Sequence, residues 1–238
     1  MGYLPILLNV TGRPCLVIGG GESAETRVRA LLEAGAIVTV VSREAGDGIK
    51  LQAASGKIRY LAREYRHGDL NGHRLAYVAI RDREIAESAA REARELDIPI
   101  NVADNPEAST FISPAVIKRG DLQIAISTSG SSPALAQVLR QRLEQQIGAE
   151  YRPVLEILRQ ARVFLRGREV DQSARASILR SLAKALVDSI GSLDSRQIDS
   201  VLRVHLHTDM AELGRDAAQN ARQKALRAVP FAKSKIPQ

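Results

Sequence analysis

Hydrophobic and polar positions over the first hundred residues alternate between two periods. Residues 14–18 (PCLVI) form a short apolar run that ends on Gly19-Gly20-Gly21. Over residues 22–35, Ala24, Val28, Leu31 and Leu32 recur at helical spacing and Gly35 supplies the stop. Residues 36–41 (AIVTVV) are β-branched and apolar on both faces, which predicts a strand buried inside a parallel sheet. A helical stretch around 48–55 follows, then strands at 58–60 and 75–80. A helix over 82–96 carries an Ala/Ile/Leu stripe, and a strand resumes at 98–102. Strands joined through helices form right-handed βαβ units, so the predicted fold class is α/β, a Rossmann-like doubly wound parallel sheet.

The period changes after Asp104. Residues 109–117 and 121–127 alternate one by one, as antiparallel strands with one wet face do. The segment 127–133 (STSGSSP) then punctuates the chain; Pro133 suits the first turn of a helix and the serines before it suit its cap. Helices are predicted over 134–147, 151–166, 171–190 and 194–206, with Gly148, Gly167 and Gly191 at the breaks. The Leu/Ile/Val stripe of 151–206 reads as bundle core or dimer contact. The expected organisation is a dinucleotide-binding domain over 1–112, a small α+β region over 113–148, and a helical domain over 149–238 with a basic end.

Composition narrows the class. Hydrophobic residues at 45% and charged residues at 26% are those of a globular chain. With aromatics at 3% and no Trp, the core must be built from Leu, Ile, Val and Ala. A net charge of +7 has the sign that suits an acidic ligand. The single cysteine, Cys15, excludes an internal disulfide, and its place in an apolar run makes it a buried, inert thiol. No secretory pattern opens the chain and no run approaches the ~18 apolar residues that span a bilayer. A cytoplasmic protein without membrane contact is expected. His205 and His207, two apart on a helix, point to different sides, and His67 and His73 lack ligand spacing. No protein metal site is expected. The basic tail (Arg222, Lys224, Arg227, Lys233, Lys235) comes without stacking aromatics or a helix-turn-helix, so no nucleic-acid partner is expected.

Two segments carry chemistry. Gly19, Gly21 and Ala24 match G-x-G-x-x-A between a strand and a helix: a tight turn, close backbone approach to a diphosphate, and close helix packing. The amides of Glu22, Ser23 and Ala24 would face the phosphates. The acid expected at the end of the second strand is missing; Ser42-Arg43-Glu44 stands there, with Glu44 late and Arg43 able to take a 2′-phosphate. NAD against NADP stays open. Asp104, just past the strand at 98–102, lies at the edge where open α/β sheets bind ligands and can act as a general base. Asp104 and Asn105 can equally start a turn before Pro106, and both readings stand.

Taken together, these segments resemble the precorrin-2 dehydrogenase/sirohydrochlorin ferrochelatase family, the N-terminal half of siroheme synthase and its stand-alone relatives. The resemblance runs from residue 1 to about residue 145 through Tyr3-Leu4-Pro5-Ile6, Thr11-Gly12-Arg13, Val17-Ile18-Gly19-Gly20-Gly21-Glu22 and Leu31-Leu32-Glu33-Ala34-Gly35-Ala36. It continues through Val38-Thr39-Val40, Asn101-Val102-Ala103-Asp104, Ser109-Thr110-Phe111-Ile112-Ser113-Pro114-Ala115, and the run Ile126–Ala136. What the resemblance implies is a homodimer with its dimerisation region after about residue 113, and NAD-dependent oxidation of precorrin-2, a macrocycle with eight carboxylates. It implies a role for Asp104 in dehydrogenation and, in bifunctional members, in inserting Fe2+ as substrate. It also places Ser127, Thr128, Ser129, Gly130 and Ser132 by the tetrapyrrole. Arg119, Arg140 and Arg142 follow nearby in sequence and read as solvated surface rather than as a clamp.

Three departures stand out. Ala79-Ile80-Arg81-Asp82 replaces the usual Ala-Thr-Asp-Asp, and Thr26-Arg27 keeps only one charge of a basic pair. The end at 238 leaves no room for the fused methyltransferase, so synthesis of precorrin-2 itself is not expected. Two other readings compete: a dinucleotide-sensing regulatory module, and a tetrapyrrole chelatase with a degenerate cofactor pocket.

Overall fold

The computed structural model describes residues 2–190, 195–208 and 211–215. Its first elements are β1 (Pro14–Ile18), α1 (Glu22–Glu33), β2 (Ile37–Val41), α2 (Asp47–Ala54), β3 (Ile58–Leu61), β4 (Leu75–Val78), α3 (Arg83–Glu95) and β5 (Ile100–Val102). The five strands are parallel in the order β3-β2-β1-β4-β5. Successive residues of β1 feed opposite faces. Cys15 and Val17 meet α1 and α2 in one apolar cluster, while Leu16 and Ile18 meet α3 in the other. Each fully buried Leu, Ile or Val contributes about 1.5–3 kcal/mol, which makes the two-sided sheet the main source of stability in this part. Helix α3 sits close to the sheet because Ala86, Ala89, Ala90 and Ala93 form its buried face. Its start is fixed by Asp82, whose side chain accepts from the Ile85 amide at 3.1 Å.

Three predicted boundaries move. Strand β4 stops at Val78 rather than residue 80, after which the Ala79 amide still donates to Ile18 at 2.8 Å. Strand β5 begins at Ile100 rather than 98, because Pro99 has no N–H to give the ladder. The strand predicted over 109–117 appears only as β6 (Ala115–Arg119), paired antiparallel with β7 (Leu122–Ile126). Residues 109–111 instead run along β5. The Val102 amide donates to Ser109 Oγ at 2.9 Å and the Ile100 amide to Thr110 Oγ1 at 2.8 Å, so hydroxyls cap that edge.

Helices α4 (Pro133–Gln146), α5 (Tyr151–Arg166), α6 (Gln172–Asp188) and α7 (Ser195–Leu206) follow, each near its predicted span. Gly148 falls between α4 and α5, and Gly167 ends α5. The break at Gly191 and the basic tail lie outside the described residues. By its contacts the chain forms two units. One comprises the chain up to Pro114 with Ser127–Ala136; the other comprises Ala115–Ile126 and the chain from Gln137 on. In the second unit, Val154, Ile157, Ala161 and Phe164 of α5 share a core with Leu182 and Leu186 of α6 and Leu202 of α7.

Cys15 is fully buried, and burial pushes its thiol up to about 11. It should resist alkylation at neutral pH in the folded protein and react completely in denaturant, which intact-mass measurement after iodoacetamide treatment checks.

Candidate functional site

The glycine turn joins β1 to α1 in a form that the sequence explains only in part. Gly19 has φ +127, and a Cβ there would stand 2.4 Å from the Ala79 carbonyl oxygen. At Gly20 a Cβ would stand 1.9 Å from the Glu44 carbonyl oxygen, and the Gly20 carbonyl accepts from the Gly46 amide at 2.8 Å. The loop after β2 therefore rests on Gly20, a role the motif leaves unassigned. Gly21 differs: it is the extended N-cap of α1, it supplies no side-chain cap, and a Cβ would meet nothing within 4 Å. Gly19 and Gly20 are thus demanded by the protein's own packing, whereas Gly21 faces open space. Beyond it lie the first-turn residues Glu22, Ser23 and Ala24, of which Ala24 is buried against the sheet. An uncapped helix start with room before it fits the diphosphate of a dinucleotide.

Beside this turn, at the carboxyl ends of the strands, is a cavity of about 530 Å³. Ile18, Val41, Ile80, Ile85 and Tyr65 give it apolar walls, and Ser42, Arg43, Glu44, Glu64 and Arg81 a polar rim. Size and lining fit a nucleoside. The Ser42 hydroxyl donates to the Glu44 carbonyl at 2.6 Å and the Tyr60 hydroxyl to the Ser42 carbonyl at 3.0 Å. Ser42 is therefore occupied in shaping its own loop. The departure Ile80-Arg81 lies in the wall of this cavity, which stays open around it.

Tyr65 is held from behind. Its hydroxyl donates to the carboxylate of Glu92, a buried residue on α3 that also accepts from the amides of Gly68 at 3.0 Å and Leu70 at 3.1 Å. Burial first, then the bond to Glu92, pushes the Tyr65 phenol well up. Nothing in sequence marked Glu92, since a glutamate on a polar-faced helix reads as solvated.

Asp104 follows β5 with φ 57, in the left-handed region, and is exposed. The turn is made by its neighbour. Asn105 Oδ1 accepts from the Ala108 amide at 3.1 Å, and the Asn105 amide donates to Val102 at 3.2 Å. Among the described residues the Asp104 carboxylate has no hydrogen bond or ion pair. It does not line the cavity above; it stands at the end of the outer strand, on the other side of β4 from β1. One strand in, on β4, the Tyr77 ring has Arg27 of α1 over it, 5.4 Å from its centroid, and Tyr77 meets Phe111 edge-on. Arg27 has no carboxylate partner among the described residues.

The segment 127–132 is a tight turn built by hydroxyls. Ser127 Oγ accepts from the Ser129 amide at 3.1 Å, Thr128 Oγ1 from the Ser132 amide at 3.0 Å, and Ser132 Oγ from the Leu135 amide at 3.2 Å. Ser129 and Gly130 both have positive φ. Each hydroxyl accepts here and keeps its own proton for donation. Arg119 donates to the Ile147 carbonyl at 2.9 Å and Arg140 pairs with Glu144 at 2.7 Å, so both serve their own unit. His205 Nδ1 lies 3.2 Å from Ser181 Oγ, and His207 takes a positive φ past the end of α7.

A parallel sheet, a glycine turn open at Gly21 and a nucleoside-sized cavity at the sheet's carboxyl edge define a dinucleotide-binding domain of the Rossmann type. Residues 6–115 match a family model described as NAD(P)-binding, and residues 119–146 match that of the sirohaem biosynthesis protein central region. The siroheme synthase of Methylobacillus flagellatus is 44% identical over 151 residues, covering 63% of this chain and 32% of that protein. That of Chromobacterium violaceum is 34% identical over 219 residues, covering 92% of this chain and 46% of that protein. The chain thus spans between a third and a half of the length of these curated relatives. A solved structure of SirC, precorrin-2 dehydrogenase, superposes with a TM-score of 0.62 at 23% identity, over 92% of this chain and 100% of that one, and shows the same fold. By these matches the chain is similar to the N-terminal part of siroheme synthase, and it resembles the precorrin-2 dehydrogenase/sirohydrochlorin ferrochelatase family.

Proposed function

We propose that the chain oxidises precorrin-2 to sirohydrochlorin in the cytoplasm, with NAD as the acceptor, as a step of siroheme synthesis. The observation that carries this reading is the combination, on one sheet edge, of a ligand-ready glycine turn and a carboxylate that the fold does not use. The oxidation removes two hydrogens from the substrate, one as hydride and one as a proton. Bound, the dinucleotide supplies the hydride acceptor. The amides of Glu22, Ser23 and Ala24 hold its diphosphate, and the cavity walled by Ile18, Val41 and Tyr65 takes its adenosine. Asp104 takes the proton: it is acceptor-only when ionised, exposed, and without a bonding partner among the described residues. The hydroxyls of Ser127, Thr128 and Ser132, together with Ser129 and Gly130, receive the carboxylates of the macrocycle. Arg27 is a half-buried cation available for another. Most of the rate enhancement comes from orientation.

Insertion of Fe2+, the metal being substrate, uses the same carboxylate to remove pyrrole protons. The chain works as a homodimer; exposed Val116 on β6 and exposed Leu135 and Val138 on α4 give it apolar surface to bury. A chelatase with a degenerate cofactor pocket is disfavoured, since the cavity persists with Ile80 and Arg81 in its wall. The test is to mix purified protein, enzymatically made precorrin-2 and NAD, and to follow sirohydrochlorin absorbance and NADH. One NADH per sirohydrochlorin is expected. No reduced nucleotide with NAD or NADP rejects the dehydrogenase, and ferrous iron supplied with sirohydrochlorin in place of precorrin-2 then reads the chelatase alone.

A further inference from the structure

Strand β2 ends without the acid that in this fold takes the ribose hydroxyls, and Ser42, which stands there, gives its hydroxyl to the Glu44 carbonyl. The neighbouring strand makes up the lack. Val41 pairs in register with Leu61 of β3, and Glu64, three residues further on, reaches the rim of the same cavity. There its carboxylate pairs with Arg43 at 3.4 Å, both side chains being well exposed. The chain beneath Glu64 is fixed, because the next residue, Tyr65, is buried and bonded to Glu92. Arg63, on the other side, forks onto Asp69 through two bonds of 2.7 Å. Glu64 therefore projects from a stretch anchored on both sides.

We infer that Glu64 selects NAD over NADP: from β3 it supplies the ribose-recognising carboxylate that β2 lacks, and it keeps Arg43 from clamping a 2′-phosphate. A ribose 2′-hydroxyl donates to a carboxylate, whereas a 2′-phosphate placed there meets a like charge. Glu44 on the same rim adds to that repulsion, and Arg81 is the cation that a phosphate could still reach. Arg43, paired with Glu64, is neutralised as a phosphate site although its position past β2 is the right one. This inference rests on the proposed binding of a dinucleotide at this edge and names the residue that discriminates between its two forms.

The test is equilibrium titration of the full chain with NADH and with NADPH, read by nucleotide fluorescence or calorimetry, without tetrapyrrole. The wild-type protein is expected to bind NADH about tenfold more tightly than NADPH, the scale of one close charge contact. Glu64→Gln, at an exposed position, should fold normally and bring the ratio to about one or below, through tighter NADPH binding. Adding Arg43→Ala to Glu64→Gln should remove that gain. A ratio that Glu64→Gln leaves unchanged, or a wild-type preference for NADPH, overturns the inference while leaving the dehydrogenase reading intact. Failure of wild-type protein to bind either nucleotide overturns both.

Discussion

Asp104→Asn should keep the fold and the dinucleotide affinity while lowering precorrin-2 turnover by about 10²- to 10⁴-fold, the contribution of a positioned base. The asparagine variant is the cleaner test, because Asn shares the tolerance of Asp for the left-handed region that position 104 occupies at φ 57. Asp104→Ala should cost about 1–2 kcal/mol of stability in addition, since alanine tolerates that conformation less well. The turn itself is safe in either variant, because Asn105 makes its hydrogen bonds. Turnover number, thermal midpoint and NADH affinity measured together separate the cases. Full turnover by the asparagine variant would remove Asp104 from the chemistry.

The second large effect is expected at Gly20. Gly20→Ala drives a Cβ to 1.9 Å from the Glu44 carbonyl oxygen and 2.9 Å from the Ala45 Cα, both backbone atoms that cannot turn aside. A loss of about 1–3 kcal/mol in stability is expected, with nucleotide binding abolished as the 42–46 loop is pushed off the glycine turn. Gly21→Ala makes the informative contrast. Nothing stands within 4 Å of its Cβ, so stability should hold while nucleotide affinity alone falls, because the added methyl occupies the space before α1. Thermal melts paired with NADH titrations distinguish the two variants. Equal stability losses at both positions would mean that Gly21 is structural as well.

How far the sequence reached follows from the range of the forces involved. The strands and helices of the sheet were legible because each one's apolar period is local: AIVTVV, apolar on both faces, suits a parallel sheet, although Ile37 at its start stays exposed. The edges were less so. At 109–111 the alternation that reads as a strand is instead a row of hydroxyls, Ser109 and Thr110 bonding to amides of β5. Gly21, Ala24 and Ser132 were legible as a motif and a cap. Gly20 was not, because its partner Glu44 arrives from the next strand's loop. Glu64, Tyr65 and Glu92 escaped for the same reason: the contact between 65 and 92 joins the loop after β3 to α3, which no local pattern connects. Asp104 was visible as a residue at a strand end, but its freedom from the turn shows only when Asn105 is seen to do that work.

The proposed oxidation requires one geometry, a dinucleotide gripped at the glycine turn with a flat polyanionic macrocycle set between it and Asp104. A crystal structure of the protein with NAD and sirohydrochlorin tests it most directly. Diphosphate oxygens are expected on the amides of Glu22–Ala24, with the Asp104 carboxylate and the nicotinamide ring both against the macrocycle. A macrocycle bound out of reach of Asp104, or a diphosphate held anywhere but before α1, would contradict it.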